Sequence, residues 1–167
     1  FDFRELDRWI ELAKKCQYEY FEMGHLFSQW GAKYAPKIIA IENGKEKQIF
    51  GWNTKADSKE YQDFLRQFVP VLVEYLKNKG IAEQTYFHIS DEPNDNNIDT
   101  YRKARECVRE YLKDFPVIDA LSNISFYKEG VVDYPVPTNQ HILEFLVQGV
   151  KHPWVYYCSG EYVDVSN

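Results

Sequence analysis

The sequence predicts an α/β fold of the (β/α) TIM-barrel-like kind, with an incomplete barrel and an inserted β-hairpin near residues 37–50. Three observations carry this reading. Strand-like runs alternate with helical ones, the pattern of parallel βαβ units. An Asn-Gly pair between two strand-like runs marks a hairpin set into a loop. Roughly five core strands occur where a closed barrel takes eight strands in about 250 residues. The 167 residues are therefore read as one partial barrel domain, 1–167, holding roughly the second through seventh units at most.

The elements follow in order. From Phe3 to Lys15, apolar residues recur at Leu6, Trp9, Ile10 and Ala13, which predicts a helix with one buried face and Trp9 in the core. A short aromatic strand, Tyr18 to Gly24, ends at His25, and Leu26 to Ala35 reads as a long loop. Lys37–Glu42 and Lys45–Phe50 flank Asn43-Gly44, whose residues tolerate the positive φ of a two-residue turn. Asp57 or Ser58 is placed to cap a helix whose apolar side carries Phe64, Leu65, Phe68, Val69, Leu72, Val73 and Leu76, with Gly80 after its end. Pro70 is expected to bend or divide that helix, since it lacks an amide donor. Thr85–Ser90 is a core strand running into Asp91-Glu92-Pro93. A helix from about Ile98 to Lys113, a strand Pro116–Leu121, a short strand Val131–Tyr134, a helix Gln140–Val150 and a last strand Trp154–Cys158 complete the reading. There are no internal repeats or low-complexity segments.

Composition narrows the classes. A net charge of −6 without a basic block offers no footprint for nucleic acid. No window of about 18 apolar residues exists to span a membrane. The start, Phe1-Asp2-Phe3-Arg4, is neither an initiator methionine nor a signal peptide, so the chain reads as excised from something longer. Its compartment stays open between a bacterial cytoplasm and secretion. Cys16, Cys107 and Cys158 are odd in number and far apart, so free thiols are expected rather than disulfides or a zinc site. The 17% aromatic content points either to a core of large side chains or to platforms for flat apolar ligand faces such as sugar rings.

The chemistry concentrates after the strand at 85–90. Alternation sets Tyr86, His88 and Ser90 on one face and Phe87 and Ile89 on the other. The apolar pair faces the helices, which points the polar set into the barrel. Glu92 continues the polar parity and is expected to project over the barrel mouth, where barrels place catalytic residues. Pro93 stiffens the exit by fixing its own φ. Adjacent carboxylates beside a histidine in a partly dry site repel one another, and such crowding favours keeping one proton on the pair, as a general acid requires. A solvated acidic loop is the alternative.

Four pieces in order resemble glycoside hydrolase family 123, formerly a domain of unknown function. They are Tyr20-Phe-Glu-Met-Gly-His-Leu-Phe-Ser-Gln-Trp30, Tyr86-Phe-His-Ile-Ser-Asp-Glu-Pro93, Ile118-Asp-Ala-Leu-Ser122 and Trp154-Val-Tyr-Tyr-Cys158, and they span nearly the whole chain. The second is the most specific. The resemblance implies an exo-acting, retaining N-acetyl-β-galactosaminidase whose substrate supplies its own nucleophile, the 2-acetamido oxygen. It implies that Asp91 orients and stabilises that acetamido group and that Glu92 is the acid/base. Such families stand outside the two-carboxylate spacing rule. The implied partner is a 2-acetamido sugar or glycan.

Further candidates surround the pair. His25 ends the first strand, where it either contacts substrate or bonds its own loop. Trp30 and Trp52 lie in loops as possible stacking platforms. His88 joins them through its strand parity. Alternate residues of the last strand face the core and the barrel interior, so Tyr156 and Tyr157 are both carried as sugar contacts. Asp119 sits mid-strand as an interior polar contact or a binding residue. His25, His88, Asp91 and Glu92 lack any His-x-x-x-His spacing, so neither a metal nor another cofactor is expected. Two rival readings remain: an ordinary retaining glycosidase with Glu92 as acid/base and a distant carboxylate such as Glu161 as nucleophile, and a non-catalytic carbohydrate-binding barrel.

Overall fold

The computed structural model describes residues 1–151 and 153–156; Tyr157, Cys158 and Glu161 lie outside the described residues. Helix α1, Arg4–Lys15, carries Glu5 and Asp7 in its first turn and Lys14 and Lys15 in its last, matching its dipole. Its buried stripe runs through Leu6 and Ile10, but Trp9 is 71% exposed, so the expected core role is corrected. The cause is electrostatic and aromatic. Asp7 accepts a 2.5 Å hydrogen bond from the Tyr75 hydroxyl and pairs with Lys79, while Phe3 stacks on Tyr75 at 4.4 Å. These contacts turn the Phe3–Leu6–Asp7–Ile10 side inward and leave Trp9 about 100° off the stripe.

Strand β1 is only Phe21–Glu22, shorter than the expected run from Tyr18 to Gly24. β2 (Ile38–Glu42) and β3 (Lys45–Phe50) form the expected antiparallel hairpin, with Asn43 at φ 53° and Gly44 at φ 75° in its turn. Helix α2, Lys59–Asn78, begins at Ser58, whose side chain accepts from the Tyr61 amide. It buries Tyr61, Leu65, Val69, Leu72 and Leu76. Pro70 lies within it without dividing it.

β4 covers Thr85–Tyr86, and helix α3, Ile98–Leu112, follows a 3-10 turn at Asp95–Asn97. β5 is Ile118–Ala120, α4 is Ser125–Lys128, β6 is Tyr134–Val136 and α5 is Ile142–Val147. The short α4 was not foreseen, and β6 begins where the expected strand ended.

Three two-stranded sheets form: β1 with β4, parallel; β2 with β3, antiparallel; and β5 with β6, parallel. Parallel bridges join Phe87 to Val117 and Thr138 to Tyr156, so β1, β4, β5, β6 and Tyr156 follow one another as a parallel arc in chain order. The fold is thus mixed α/β, and among the described residues the sheet does not close. The core lies between this arc and α2 and α3, with Phe87, Ile89, Leu65, Val69, Tyr101, Val108 and Phe126 buried. Fully burying one such apolar side chain is worth about 1.5–3 kcal/mol.

Candidate functional site

Asp91 and Glu92 follow β4, which is parallel to β1 on one side and bridged in parallel to Val117 on the other. Phe87 and Ile89 are fully buried, as their alternation predicts, and Tyr86 and His88 occupy the opposite face half-buried. Beyond Ile89 the chain leaves the strand and alternation stops governing it. Ser90 is wholly buried rather than turned to an open mouth. Its hydroxyl donates to the Ser28 carbonyl at 2.8 Å and accepts from the amides of Gly31 and Ala32. Glu92 is exposed and adopts φ 45°, so a left-handed turn, not strand parity, aims its side chain.

The loop opposite is clamped to this turn. The Gln29 amide donates to Asp91 Oδ2 at 2.6 Å, and the Trp30 amide donates to the Asp91 carbonyl at 2.8 Å. Trp30, Gly31 and Ala32 all take positive φ, at 56°, 105° and 57°. Three successive residues in that region are held by outside bonds: Asn97 Nδ2 donates to the Trp30 carbonyl and Thr100 Oγ1 to the Gly31 carbonyl. At Gly31 a Cβ would stand 2.2 Å from Asn97 Cγ, which explains the glycine. With its backbone fixed at both ends and its amide on Asp91, Trp30 is 56% exposed.

His25 donates from Nδ1 to the Phe27 carbonyl at 2.6 Å, so it bonds its own loop and leaves Nε2 as an acceptor when the ring is neutral. The neighbouring Leu26 amide donates to the His88 carbonyl, which brings His25 alongside the strand that leads to the pair. His88 turns its ring nitrogens to Asp119 and Glu22 rather than to the pair: Nδ1 lies 2.9 Å from Asp119 Oδ1, and Nε2 lies 2.5 Å from Glu22 Oε1 without hydrogen-bond alignment. Burial disfavours its charged form, yet the hydrogen bond and charge of Asp119, with Glu22 adding to them, hold its pKa above the ordinary value. Burial also raises the Asp119 carboxyl, against the opposing pull of His88, Tyr101 and the Ile89 amide. Both shifts have one consequence: the pair retains its shared proton.

Trp52 is exposed in the turn between β3 and α2, and among the described residues no hydrogen bond joins it to the Asp91 loop. Tyr156 bridges Thr138 at the far edge of the arc. Tyr157 lies outside the described residues. Sequence reasoning missed Glu22, Gln29, Asn97 and Tyr101. It also missed an aromatic group on the arc, in which Tyr86 meets Trp154 at 5.0 Å, Tyr134 at 6.2 Å and Tyr20 at 6.3 Å. The polar parity of Tyr86 was the only available signal for it. One cavity of about 410 Å³ is lined by Met23 and His25, and one of about 580 Å³ lies between α2 and α3 against Ala32 and Tyr34. Among the described residues no cluster of three His, Cys, Asp or Glu side chains could hold a metal, and no helix is long and apolar enough to cross a membrane. Cys16 and Cys107 are free thiols.

A carboxylate pair that follows a parallel strand, faced by a clamped loop with an exposed tryptophan, lies in a chain that belongs to the glycoside hydrolases. Within them it is a member of family 123: the family description "Glycoside hydrolase 123, catalytic domain" matches residues 1–167. The fold is similar to that of a family 123 glycoside hydrolase from Clostridium perfringens, studied for the details of glycolipid glycan hydrolysis. The TM-score is 0.67 and the identity 18%, over 98% of this chain and 30% of that one. No curated protein sequence matches.

Proposed function

We propose that these residues carry the catalytic pair of an exo-acting, retaining β-N-acetylhexosaminidase, an N-acetyl-β-galactosaminidase, that uses substrate assistance. The parallel arc then forms part of the wall of a (β/α) barrel. The observation that carries the reading is the asymmetry of the pair: Asp91 is half-buried and held by Gln29, while Glu92 is exposed and free to meet a leaving group.

In this mechanism Glu92 donates a proton to the glycosidic oxygen as the C1–O bond breaks. The acetamido oxygen attacks C1 and closes an oxazolinium ring. Asp91 accepts a hydrogen bond from the acetamido N–H and stabilises the positive charge that develops there. Glu92, now a carboxylate, takes a proton from water as that water attacks C1 and the oxazolinium ring's C1–O bond breaks to restore the acetamide, and two inversions give net retention. Trp30 supplies an apolar platform for a sugar face.

Turnover of an aryl β-glycoside tests the reading. The 2-acetamido substrate should react, its 2-hydroxyl counterpart should be nearly inert, and a thiazoline mimic of the cyclised intermediate should inhibit strongly. A sugar adduct on any carboxylate after treatment with a 2-fluoro glycoside, seen by mass spectrometry, would falsify it in favour of a protein nucleophile. Binding without turnover would leave only a carbohydrate-binding domain.

A further inference from the structure

The ladder between β4 and β5 stops one rung early. The Phe87 amide donates to the Pro116 carbonyl, and the Ile118 amide donates to the Phe87 carbonyl. The next rung of a parallel ladder would take the Ile89 amide to the Ile118 carbonyl. Instead that amide reaches a side chain, Asp119 Oδ2, at 3.4 Å. The same oxygen accepts from the Tyr101 hydroxyl of α3, and Oδ1 receives His88 Nδ1 at 2.9 Å. Asp119 is fully buried, so its carboxylate spans a gap between two strands and is satisfied there by three donors.

On the other side of the same residue, the Ile89 carbonyl accepts from the Phe27 amide at 3.0 Å. Ile89 is therefore gripped from both flanks, two residues before Asp91 and three before the left-handed turn at Glu92. A gap bridged by a side chain lets the strand end diverge from β5 and rise into the Ser90–Glu92 turn while its position stays defined. His88 closes the circuit, with Nδ1 to Asp119 on β5 and Nε2 against Glu22 on β1.

We infer that Asp119 and His88 are positioning residues for the Asp91–Glu92 pair, acting through the Ile89 backbone; the inference rests on the catalytic reading of that pair. A carboxylate suits the place because all three of its partners are donors. Asparagine would turn an NH₂ toward one of them. The ring of His88 can adapt by moving its proton to Nε2, so an Asn variant should keep its fold while loosening the strand end. The charged groups acting on this ring are Asp119 from β5 and Glu22 from β1; Tyr101 from α3 reaches it through Asp119, and Arg105 and Asp133 act on Tyr101.

The test uses the natural polypeptide that carries these residues and an aryl 2-acetamido-β-glycoside. Asp119→Asn should lower kcat about 10–100-fold, the order that small misplacements cost, with KM within about twofold. His88→Ala should do the same, and His88→Asn, whose amide nitrogen falls near the place of Nδ1, should recover part of the loss. The ¹⁵N spectrum of the histidines gives a readout apart from turnover: His88 Nδ1 should carry a proton in the native protein and lose it in Asp119→Asn. Unchanged kcat in a folded Asp119→Asn, or equal losses in His88→Ala and His88→Asn, would overturn the inference. Should Asp119→Asn not fold, the histidine pair of variants decides alone. Glu92→Gln and Asp91→Asn serve as the control. If both leave turnover intact, the catalytic reading itself fails; if they silence it while Asp119 and His88 prove indifferent, only the positioning role does.

Discussion

The side-chain amide of Gln29 and the carboxylate of Asp91 meet at 2.6 Å across 62 residues of sequence. Together with the bond from the Trp30 amide to the Asp91 carbonyl, this contact fixes both the backbone and the side chain of the proposed acetamido-orienting residue. A hydrogen bond to a charged group contributes about 1.5–3 kcal/mol. Gln29→Ala should therefore lower kcat by roughly 10–100-fold if that bond serves the transition state. Gln29→Glu, which sets a second negative charge against Asp91, should be worse. Steady-state kinetics on the two variants checks the order, and an unimpaired Gln29→Ala contradicts it.

Glu92→Gln removes the transferable proton and nearly preserves shape. The loss on natural glycosides should be about 10²–10⁴-fold, the usual worth of general acid catalysis. Aryl glycosides with good leaving groups need less protonation and should lose less in the glycosylation step. Equal losses for both leaving groups, with glycosylation limiting in each, count against the assignment.

Gly31→Ala tests the clamp. Its Cβ would collide with Asn97, whose side chain is committed to the Trp30 carbonyl and the Asn94 amide and so has little freedom to yield. Holding a non-glycine residue in this conformation costs about 1–3 kcal/mol. For a chain of this size each kcal/mol lowers Tm by about 2–4 °C. Calorimetry should show that decrease, accompanied by weaker turnover because the Trp30–Asp91 contact shares the same loop.

Trp30 separates binding from folding. Its ring is largely exposed and its backbone makes the structural bonds, so Trp30→Ala should leave Tm within about 1–2 °C, as for surface substitutions within ±0.5 kcal/mol. Loss of a stacking platform should instead raise KM for the sugar. A Tm loss without a change in KM argues against the platform.

The His88–Asp119 pair makes stability depend on pH. Its folded state keeps a proton that the unfolded chain releases near 6.5, the ordinary histidine value, since the His88 pKa is raised. The contribution is thus complete below 6.5 and fades as pH rises through the higher folded value. Thermal melts from pH 6 upward should show a decline on the alkaline side that is reduced in His88→Asn. An identical slope in the two proteins refutes the linkage.

Several features were legible in the residues themselves because they depend on neighbours in sequence. Asn43-Gly44 alone dictates a tight hairpin turn, Ser58 caps α2, and the alternation from Thr85 to Ile89 correctly separates Phe87 and Ile89 from Tyr86 and His88. The Asp91-Glu92-Pro93 motif and its family resemblance could likewise be read directly. Tertiary structure decided the rest, because the deciding partners are remote. Trp9 lies outside the core because Asp7 and Phe3 are drawn to Tyr75 on α2 and Lys79 just past its end. Ser90 and Glu92 escape strand parity because the 28–32 loop pulls the chain out of the sheet. The sequence left Asp119 between an interior polar contact and a binding residue, and only packing brought Ile89, His88 and Tyr101 within reach of its carboxylate. Local periodicity records which side of an element is apolar; which donor a buried oxygen meets depends on how separate elements pack.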